Sequence, residues 1–176
     1  MKLLKDCGIR LLAFDADDTL WDCQGHFDAV EESYCQLLAP YGSKQEVATS
    51  LFSTETANMD LLGYGSKAFT ISLIENAIKV SGGKVGCDTL TRIIDMGKSL
   101  LNMPATPLPG VAQTLKALRG GKQKMVVFTK GDNLDQENKF KRSGLQPFFD
   151  DCIVVADKTT REYEHLCQLL DVSIEP

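Results

Sequence analysis

The chain has 176 residues, of which 43% are hydrophobic and 24% are charged, and its formal net charge is −5. These values are typical of a soluble globular protein with one ordinary domain and room for a smaller inserted lobe, and they do not favour disorder or a membrane span. Because the chain is acidic and has no run of basic residues, binding to nucleic acid or to an anionic membrane is disfavoured.

The six cysteines are widely spaced, form no CxxC pair and follow no secretory segment. They predict free thiols in a reducing compartment, so the expected location is the cytoplasm. The two histidines, His26 and His165, have no partners at metal-ligand spacing. Each is therefore predicted to be an ordinary surface or helix residue.

Three short apolar runs, at residues 9–14, 125–129 and 153–156, predict β-strands. Each run is continuous rather than alternating, as expected for strands of a parallel sheet that is covered on both faces. Helical patterns at 134–143 and 159–170 follow the second and third runs. The order of strand, helix and strand predicts an α/β fold with a Rossmann-like parallel sheet.

Four helical patterns follow the first strand, and no strand pattern lies among them. They are residues 27–41, 44–62, 66–80 and 88–102. The proline-rich stretch LNMPATPLPG follows them, and a further helix at 111–118 precedes the second strand. We therefore predict an α/β core made of residues 1–22 and 106–176. A helical cap at residues 23–105 is inserted into it.

Polar residues follow each of the three predicted strands. Asp15 and Asp17 follow the first strand, Thr129 and Lys130 end the second, and Lys158 follows the third. The carboxyl ends of parallel strands lie at one edge of the sheet. Carboxylates there suit a divalent cation, and a hydroxyl and ammonium groups suit phosphate oxygens. The arrangement predicts phosphoryl-transfer chemistry.

The stretches FDADDTLW, VVFTKGD and VVADKT resemble the first three motifs of the haloacid dehalogenase (HAD) superfamily. They occur in the same order, and the predicted helical lobe lies between the first and second motifs, as in the capped branch. The resemblance extends from residue 9 to about residue 170. It implies the fold of that superfamily with a helical cap.

The resemblance also implies roles for individual residues. Asp15 would be the nucleophile that forms an aspartyl-phosphate, and Asp17 would be the general acid and base. Thr129 and Lys158 would bind the phosphate and stabilise its charge, with Lys130 as a further substrate-binding residue. A Mg²⁺ ion would be held by Asp15 and by the backbone carbonyl of Asp17.

The second aspartate, Asp17, helps to decide between the two activities found in the resembling superfamily, dehalogenation and phosphate ester hydrolysis. A dehalogenase attacks carbon and has no alkoxide leaving group to protonate, whereas a phosphatase uses the second carboxylate for that step. Asp17 is present here. We therefore expect hydrolysis of a small phosphorylated metabolite rather than dehalogenation.

Other residues near the motifs have structural interpretations. Asp18 is predicted to be a turn or cap residue, and Asp132 and Asn133 are predicted to cap the helix that starts near Leu134. Trp21 and Phe27 would either contact a substrate or pack between cap and core, and the sequence does not distinguish these alternatives.

The fourth motif of the superfamily, an acidic pair after a further strand that completes the magnesium site, has no match after Lys158. The chain reads DVSIEP where that strand would begin. We therefore expect the core to lack its last strand, and the chain to be a shortened form of a longer protein. The first strand would then be an apolar sheet edge, which favours self-association.

Two alternatives to a phosphatase share some of these residues. A phosphoacceptor receiver domain also has an acidic pair, a threonine and a lysine at strand ends, but it has no helical lobe after the acidic pair. A noncatalytic relative that binds a phosphorylated ligand or a protein partner stays open.

Overall fold

A computed structural model describes residues 8–173 of the chain. The chain divides into two compact units, which we call the sheet unit and the helical unit. The sheet unit contains the residues up to Asp22 and those from Pro104 onward, and the helical unit is Cys23–Met103. The role of the helical unit as a cap stays a prediction.

The sheet unit contains a parallel sheet of three strands in the described residues. The strands are β1 (Leu11–Phe14), β2 (Lys124–Lys130) and β3 (Asp151–Val155), in the order β1-β2-β3. Phe14 is in register with Val127, and Thr129 is in register with Val154. The predicted α/β fold is therefore confirmed. β1 lies at an edge of the sheet formed by the described residues. Self-association through that edge stays a prediction.

The helical unit consists of four helices in the described residues. They are α1 (Gln24–Leu37), α2 (Lys44–Leu62), α3 (Ser66–Val80) and α4 (Cys87–Leu101). A capping box starts α2, because the Ser43 hydroxyl accepts from the Glu46 amide and the Glu46 carboxylate accepts from the Ser43 amide. The side chains of Tyr34, Val47, Leu73 and Leu100 lie in one hydrophobic core.

Three further helices belong to the sheet unit. They are α5 (Val111–Arg119), α6 (Asn133–Ser143) and α7 (Thr160–Leu169), with a short 3-10 turn at Gln146–Phe148. The prediction for Asp132 is confirmed, since its carboxylate caps α6 by accepting from the backbone N–H of Asp135 at 3.0 Å. This cap fixes where α6 begins relative to the end of β2.

The middle strand β2 explains why the apolar runs are continuous. Met125 and Val127 pack into one hydrophobic cluster, while Val126 and Phe128 pack into another on the opposite face of the strand. A strand that is covered on both faces needs apolar residues at successive positions. The sheet therefore leaves polar residues only where its strands end.

Within residues 8–173, no helix is both long enough and apolar enough to cross a membrane. The five cysteines of the same range form no disulfide with one another. Cys7, predicted to be a free thiol like the others, lies outside the described residues.

Candidate active site

The chain turns sharply directly after β1, and this turn positions two aspartates. The amide of Asp18 donates to the carbonyl of Trp21 at 2.8 Å, and the amide of Leu20 donates to the carbonyl of Ala16 at 2.8 Å. Asp18 has a φ of 57°, in the left-handed region that aspartate tolerates better than most residues. The prediction that Asp18 is a turn residue is confirmed. The turn separates Asp15 from Asp17, so that each has its own set of contacts.

Asp15 contacts Lys158 in a direct ion pair. One carboxylate oxygen of Asp15 accepts from the Lys158 ammonium, and the other accepts from the Thr19 hydroxyl at 3.3 Å. The Asp15 side chain stays 45% exposed, while the Lys158 side chain is 21% exposed. The lysine ammonium also lies 5.8 Å from the ring centroid of Phe128, within the range of a cation–π contact. Asp15 is thus held in place and is still open to solvent.

Asp17 lies in a second group of contacts, the Asp17 cluster, which comprises Asp17, Trp21, Gln136 and Lys139. The Lys139 ammonium donates to both carboxylate oxygens of Asp17, each at 2.8 Å. The indole N–H of Trp21 donates to Oδ1 at 2.8 Å, and the amide of Gln136 donates to Oδ2 at 2.7 Å. Each oxygen of Asp17 therefore accepts two hydrogen bonds.

The surroundings of Asp17 favour its ionised form. Burial by itself would raise the pKa of Asp17, but the positive charge of Lys139 and the hydrogen bonds from Lys139, Gln136 and Trp21 act in the opposite direction. Their combined effect places the pKa of Asp17 below its ordinary value. The group is therefore a carboxylate at neutral pH in this arrangement.

Thr129 and Lys130 lie at the carboxyl end of β2, between the ends of β1 and β3. Thr129 is 2% exposed. The backbone carbonyl of Lys130 accepts from the Gln136 amide at 3.1 Å. Within the described residues, the structure thus joins Asp15 to Lys158 directly and joins Lys130 to Asp17 through Gln136. The hydrogen bonds of neither group include the Thr129 hydroxyl.

Sequence reasoning misses three residues of the Asp17 cluster. It predicts Gln136 and Lys139 only as part of a helix, and it expects Trp21 to contact a substrate or to pack between cap and core. Trp21 is fully buried in the hydrophobic core of the sheet unit, so the interpretation as a substrate platform is wrong. The spacing of three between Gln136 and Lys139 places both side chains on one helix face, but the exposed pair of Glu137 and Lys141 shares a face in the same way, so this spacing does not single them out.

The carboxylates of Asp15 and Asp17, where the resemblance implies a magnesium site, accept hydrogen bonds from other side chains of this chain. Both oxygens of Asp15 and both oxygens of Asp17 accept from hydrogen-bond donors of this chain. Within residues 8–173, no group of three or more histidine, cysteine, aspartate or glutamate side chains lies close enough together to hold a metal ion. A protein-bound Mg²⁺ ordinarily uses carboxylate oxygens that face the ion. Asp15 and Asp17 each pair with a lysine, and the Asp15 side chain is also 45% exposed.

The family of the chain follows from comparison with known proteins. A family model of haloacid dehalogenase-like hydrolases matches residues 9–175. The chain therefore belongs to the haloacid dehalogenase-like hydrolases, and the resemblance seen in the three motifs is confirmed. A search of curated proteins finds no significant match.

Solved structures show the same fold. A haloacid dehalogenase-like family hydrolase from Xanthomonas campestris is 31% identical with a TM-score of 0.87, and the match covers 93% of this chain and 69% of that one. A predicted phosphoglycolate phosphatase from Haemophilus somnus is 16% identical with a TM-score of 0.57, over 93% of this chain and 72% of that one.

Two further observations concern metal and substrate class. The putative HAD-hydrolase YfnB from Bacillus subtilis, described as bound to magnesium, is 17% identical with a TM-score of 0.57, over 92% of this chain and 72% of that one. Dehalogenases also match, at identities that show the fold alone. The comparisons therefore establish the hydrolase family of this chain, and proteins described with different activities share its fold.

Proposed function

We propose that this protein is a magnesium-dependent phosphatase that hydrolyses a small phosphorylated metabolite through an aspartyl-phosphate intermediate. The observation that carries the proposal is the pair of Asp15 and Lys158 at the carboxyl end of the sheet. An exposed carboxylate beside an ammonium can attack a phosphate monoester, because the lysine offsets the repulsion between the two anions.

Asp15 and Lys158 account for the first half of the reaction. A carboxylate oxygen of Asp15 forms a bond to phosphorus while the bond from phosphorus to the ester oxygen breaks, and the electron pair leaves with that oxygen. The Lys158 ammonium stabilises the charge on the phosphoryl oxygens. Water then attacks the aspartyl-phosphate, which releases inorganic phosphate and restores the carboxylate.

Asp17 is the proposed general acid and base. In the first half it passes to the leaving ester oxygen a proton that it has taken up from solvent, and in the second half its carboxylate takes a proton from the attacking water. The Asp17 cluster favours the carboxylate form, which is the form that the second half requires. An ester with a good leaving group needs no proton in the first half, so its turnover depends less on the acid role.

Magnesium dependence is part of the proposal through family membership. The residues toward which the family resemblance points are Asp15 and the backbone carbonyl of Asp17. Both carboxylates also pair with lysines. The dependence of turnover on Mg²⁺ therefore needs its own measurement. Turnover in excess Mg²⁺ is compared with turnover in EDTA, and we expect EDTA to abolish it.

The test of the proposal is hydrolysis of p-nitrophenyl phosphate by the full chain and by Asp15→Asn. Loss of the nucleophile is expected to lower kcat by at least about a thousandfold. Asp18→Asn is the matched control, since asparagine also tolerates the left-handed conformation of that position and its kcat should stay within about threefold. Equal turnover by wild type and Asp15→Asn would contradict the proposal.

A noncatalytic protein that binds a phosphorylated ligand is the second candidate. It is favoured by the full set of donors around Asp17, which occupies both oxygens of that carboxylate. Saturable binding of inorganic phosphate by a chain with no turnover of phosphate esters would support it. Release of halide from a 2-haloacid would instead indicate a dehalogenase.

A further inference from the structure

We propose that Lys139 and Gln136 are positioning residues for Asp17, and that helix α6 thereby sets the orientation of the second aspartate in the site. This inference rests on the proposed phosphatase function and deepens it. Neither residue belongs to the three sequence motifs. Their role follows from their contacts, their burial and the composition of the helix that carries them.

The contacts leave the Asp17 carboxylate no freedom to rotate without loss of a hydrogen bond. Lys139 bonds both oxygens at 2.8 Å, and Gln136 adds a bond to Oδ2 at 2.7 Å. On the opposite side, the Trp21 indole bonds Oδ1 at 2.8 Å. Charge-assisted hydrogen bonds of this kind are stronger than neutral ones and are sensitive to geometry. The orientation of the carboxylate plane is therefore determined by α6 and Trp21 together.

The burial of Lys139 and Gln136 indicates that these contacts are not incidental surface pairs. Lys139 is 2% exposed and Gln136 is 4% exposed. Burial of an ammonium is unfavourable unless a carboxylate and hydrogen bonds compensate it, and methionine or leucine would fill the same space at lower cost. A charged pair in this place is therefore better explained by a task at Asp17 than by stability.

The composition of α6 supports the same conclusion. A helix that packs on a sheet normally buries an apolar stripe. The sequence of α6 is NLDQENKFKRS, and its buried residues are mostly polar. The buried face of α6 is therefore largely polar, and it includes contacts with Asp17 across 119 and 122 positions of the sequence.

The backbone after β2 makes room for Gln136. Gly131 has a φ of 142°, which side-chain-bearing residues rarely adopt, and a Cβ added there would lie 3.0 Å from the Gln136 amide nitrogen. The same nitrogen donates to the carbonyl of Lys130 at 3.1 Å. Gln136 thus connects the end of β2, where the predicted substrate-binding residues lie, with Asp17.

The amide of Gln136 adopts this orientation at a cost. Its oxygen Oε1 is buried and has no hydrogen-bond partner among residues 8–173. A buried acceptor without a partner is unfavourable. The opposite orientation of the amide would turn that oxygen toward the Asp17 carboxylate and the Lys130 carbonyl, which are both acceptors. The donor requirement of Asp17 and Lys130 therefore determines how Gln136 is placed.

The test compares kcat and KM for p-nitrophenyl phosphate in wild type, Lys139→Met, Asp17→Asn and the double variant. We expect Lys139→Met to lower kcat by about 100-fold with KM within about threefold, because a misplaced acid–base group slows the chemical steps rather than binding. In the Asp17→Asn background the same change should have almost no further effect on kcat. Lys139→Arg should restore part of the lost activity.

Lys141→Met is the matched control, since Lys141 lies on α6 with a 58% exposed side chain and forms only a long 3.8 Å pair with Glu137. Its kinetics should equal those of wild type. If Lys139→Met does not fold, Gln136→Leu replaces it in the same scheme, with a smaller expected loss of about tenfold.

The outcomes separate the inference from the proposed function. An inert wild type contradicts the phosphatase proposal and with it this inference. An active wild type with normal kcat in the Lys139 and Gln136 variants overturns the inference alone. An equal loss from Lys139→Met in the wild-type and Asp17→Asn backgrounds also overturns it, because a lysine that acts through Asp17 must lose its effect when Asp17 is replaced.

Discussion

The two units of the chain each bury a polar cluster, and the two clusters are chemically different. In the helical unit, the Tyr34 hydroxyl donates to the carbonyl of Leu73 at 2.9 Å and accepts from the Asn76 amide at 2.9 Å. All of these groups are neutral, and they join α1 to α3. The Asp17 cluster of the sheet unit instead pairs a carboxylate with a buried ammonium. Its members come from the turn after β1 and from α6.

The difference shows how burial acts on polar groups of different charge. Burial raises the pKa of Tyr34, so the tyrosine stays a neutral hydroxyl that serves to join helices. At Asp17 burial also acts to raise the pKa, but the charge of Lys139 and the hydrogen bonds from Lys139, Gln136 and Trp21 together lower it, so a charge is kept inside the protein. Neutral buried networks contribute to stability, whereas buried ion pairs are weak evidence for stability and better evidence for a task. We therefore expect substitutions in the neutral cluster around Tyr34 to lower the free energy of unfolding, and substitutions in the Asp17 cluster to lower turnover.

The largest expected effect on stability is steric and lies in the helical unit. A Cβ added to Gly97 of α4 would lie 2.0 Å from the Thr70 hydroxyl of α3. Gly97→Ala should therefore lower the free energy of unfolding by about 3 kcal/mol, because two helices must separate to admit the methyl group. Urea unfolding followed by circular dichroism measures this change.

Gly120→Ala is the control for that substitution. Gly120 ends α5 with a φ of −72°, and an added Cβ would meet only the Ala117 carbonyl at an ordinary 3.8 Å. Its unfolding free energy should stay within about 0.5 kcal/mol of wild type. Equal behaviour of the two variants would show that α3 and α4 do not pack as closely as described.

The next largest expected effect on stability concerns the neutral cluster of Tyr34, Leu73 and Asn76. Tyr34→Phe removes the hydroxyl that Leu73 and Asn76 use, and it should lower the free energy of unfolding by about 1.5 kcal/mol. Turnover of p-nitrophenyl phosphate should stay within about twofold, since the proposed reaction uses no group of this cluster. Tyr41→Phe is the control, because the Tyr41 hydroxyl makes only a 3.4 Å exposed bond to the Lys84 carbonyl. If Tyr34→Phe lost turnover and kept its unfolding free energy, the assignment of the Tyr34 cluster to stability rather than to activity would be wrong.

The smallest effect concerns an exposed ion pair, which contrasts with both buried clusters. Two hydrogen bonds from Arg119, at 2.8 and 2.6 Å, and one from the Met125 amide lower the pKa of Asp150 from 3.8 to about 2. A pKa that is lower in the folded state gives stabilisation that is complete above pH 3.8 and is lost as the pH falls through about 2. Because both side chains are more than a third exposed, solvent screening keeps the contribution small.

Urea unfolding of Asp150→Asn from pH 7 to pH 2.5 tests this contribution. The midpoint of the variant should lie below that of wild type by a constant amount down to about pH 4, and the difference should narrow at lower pH. Asp60→Asn, at an exposed position of α2, should show no such difference. A gap that grows as the pH falls would refute the assigned direction of the pKa shift.

Much of the sheet unit could be predicted from the sequence because its signals are local. Continuous apolar runs are typical of strands covered on both faces, as β2 is, and the three strands lie where these runs predict them. Polar residues directly after such runs must lie at the carboxyl edge of a parallel sheet. The local pattern therefore predicts that Asp15 and Lys158 lie at the same edge of the sheet, and the family resemblance implies their contact.

The Asp17 cluster could not be predicted in the same way. In the polar sequence of α6, Gln136 and Lys139 have the pattern of a solvated helix face, and nothing local distinguishes them from exposed residues such as Glu137 and Lys141. Their partner lies more than a hundred positions earlier in the chain. Local patterns therefore determined the strands and the acids that follow them, because burial on both faces restricts composition. The tertiary structure decided which side chains hold Asp17, because that depends on how α6 packs against the turn after β1.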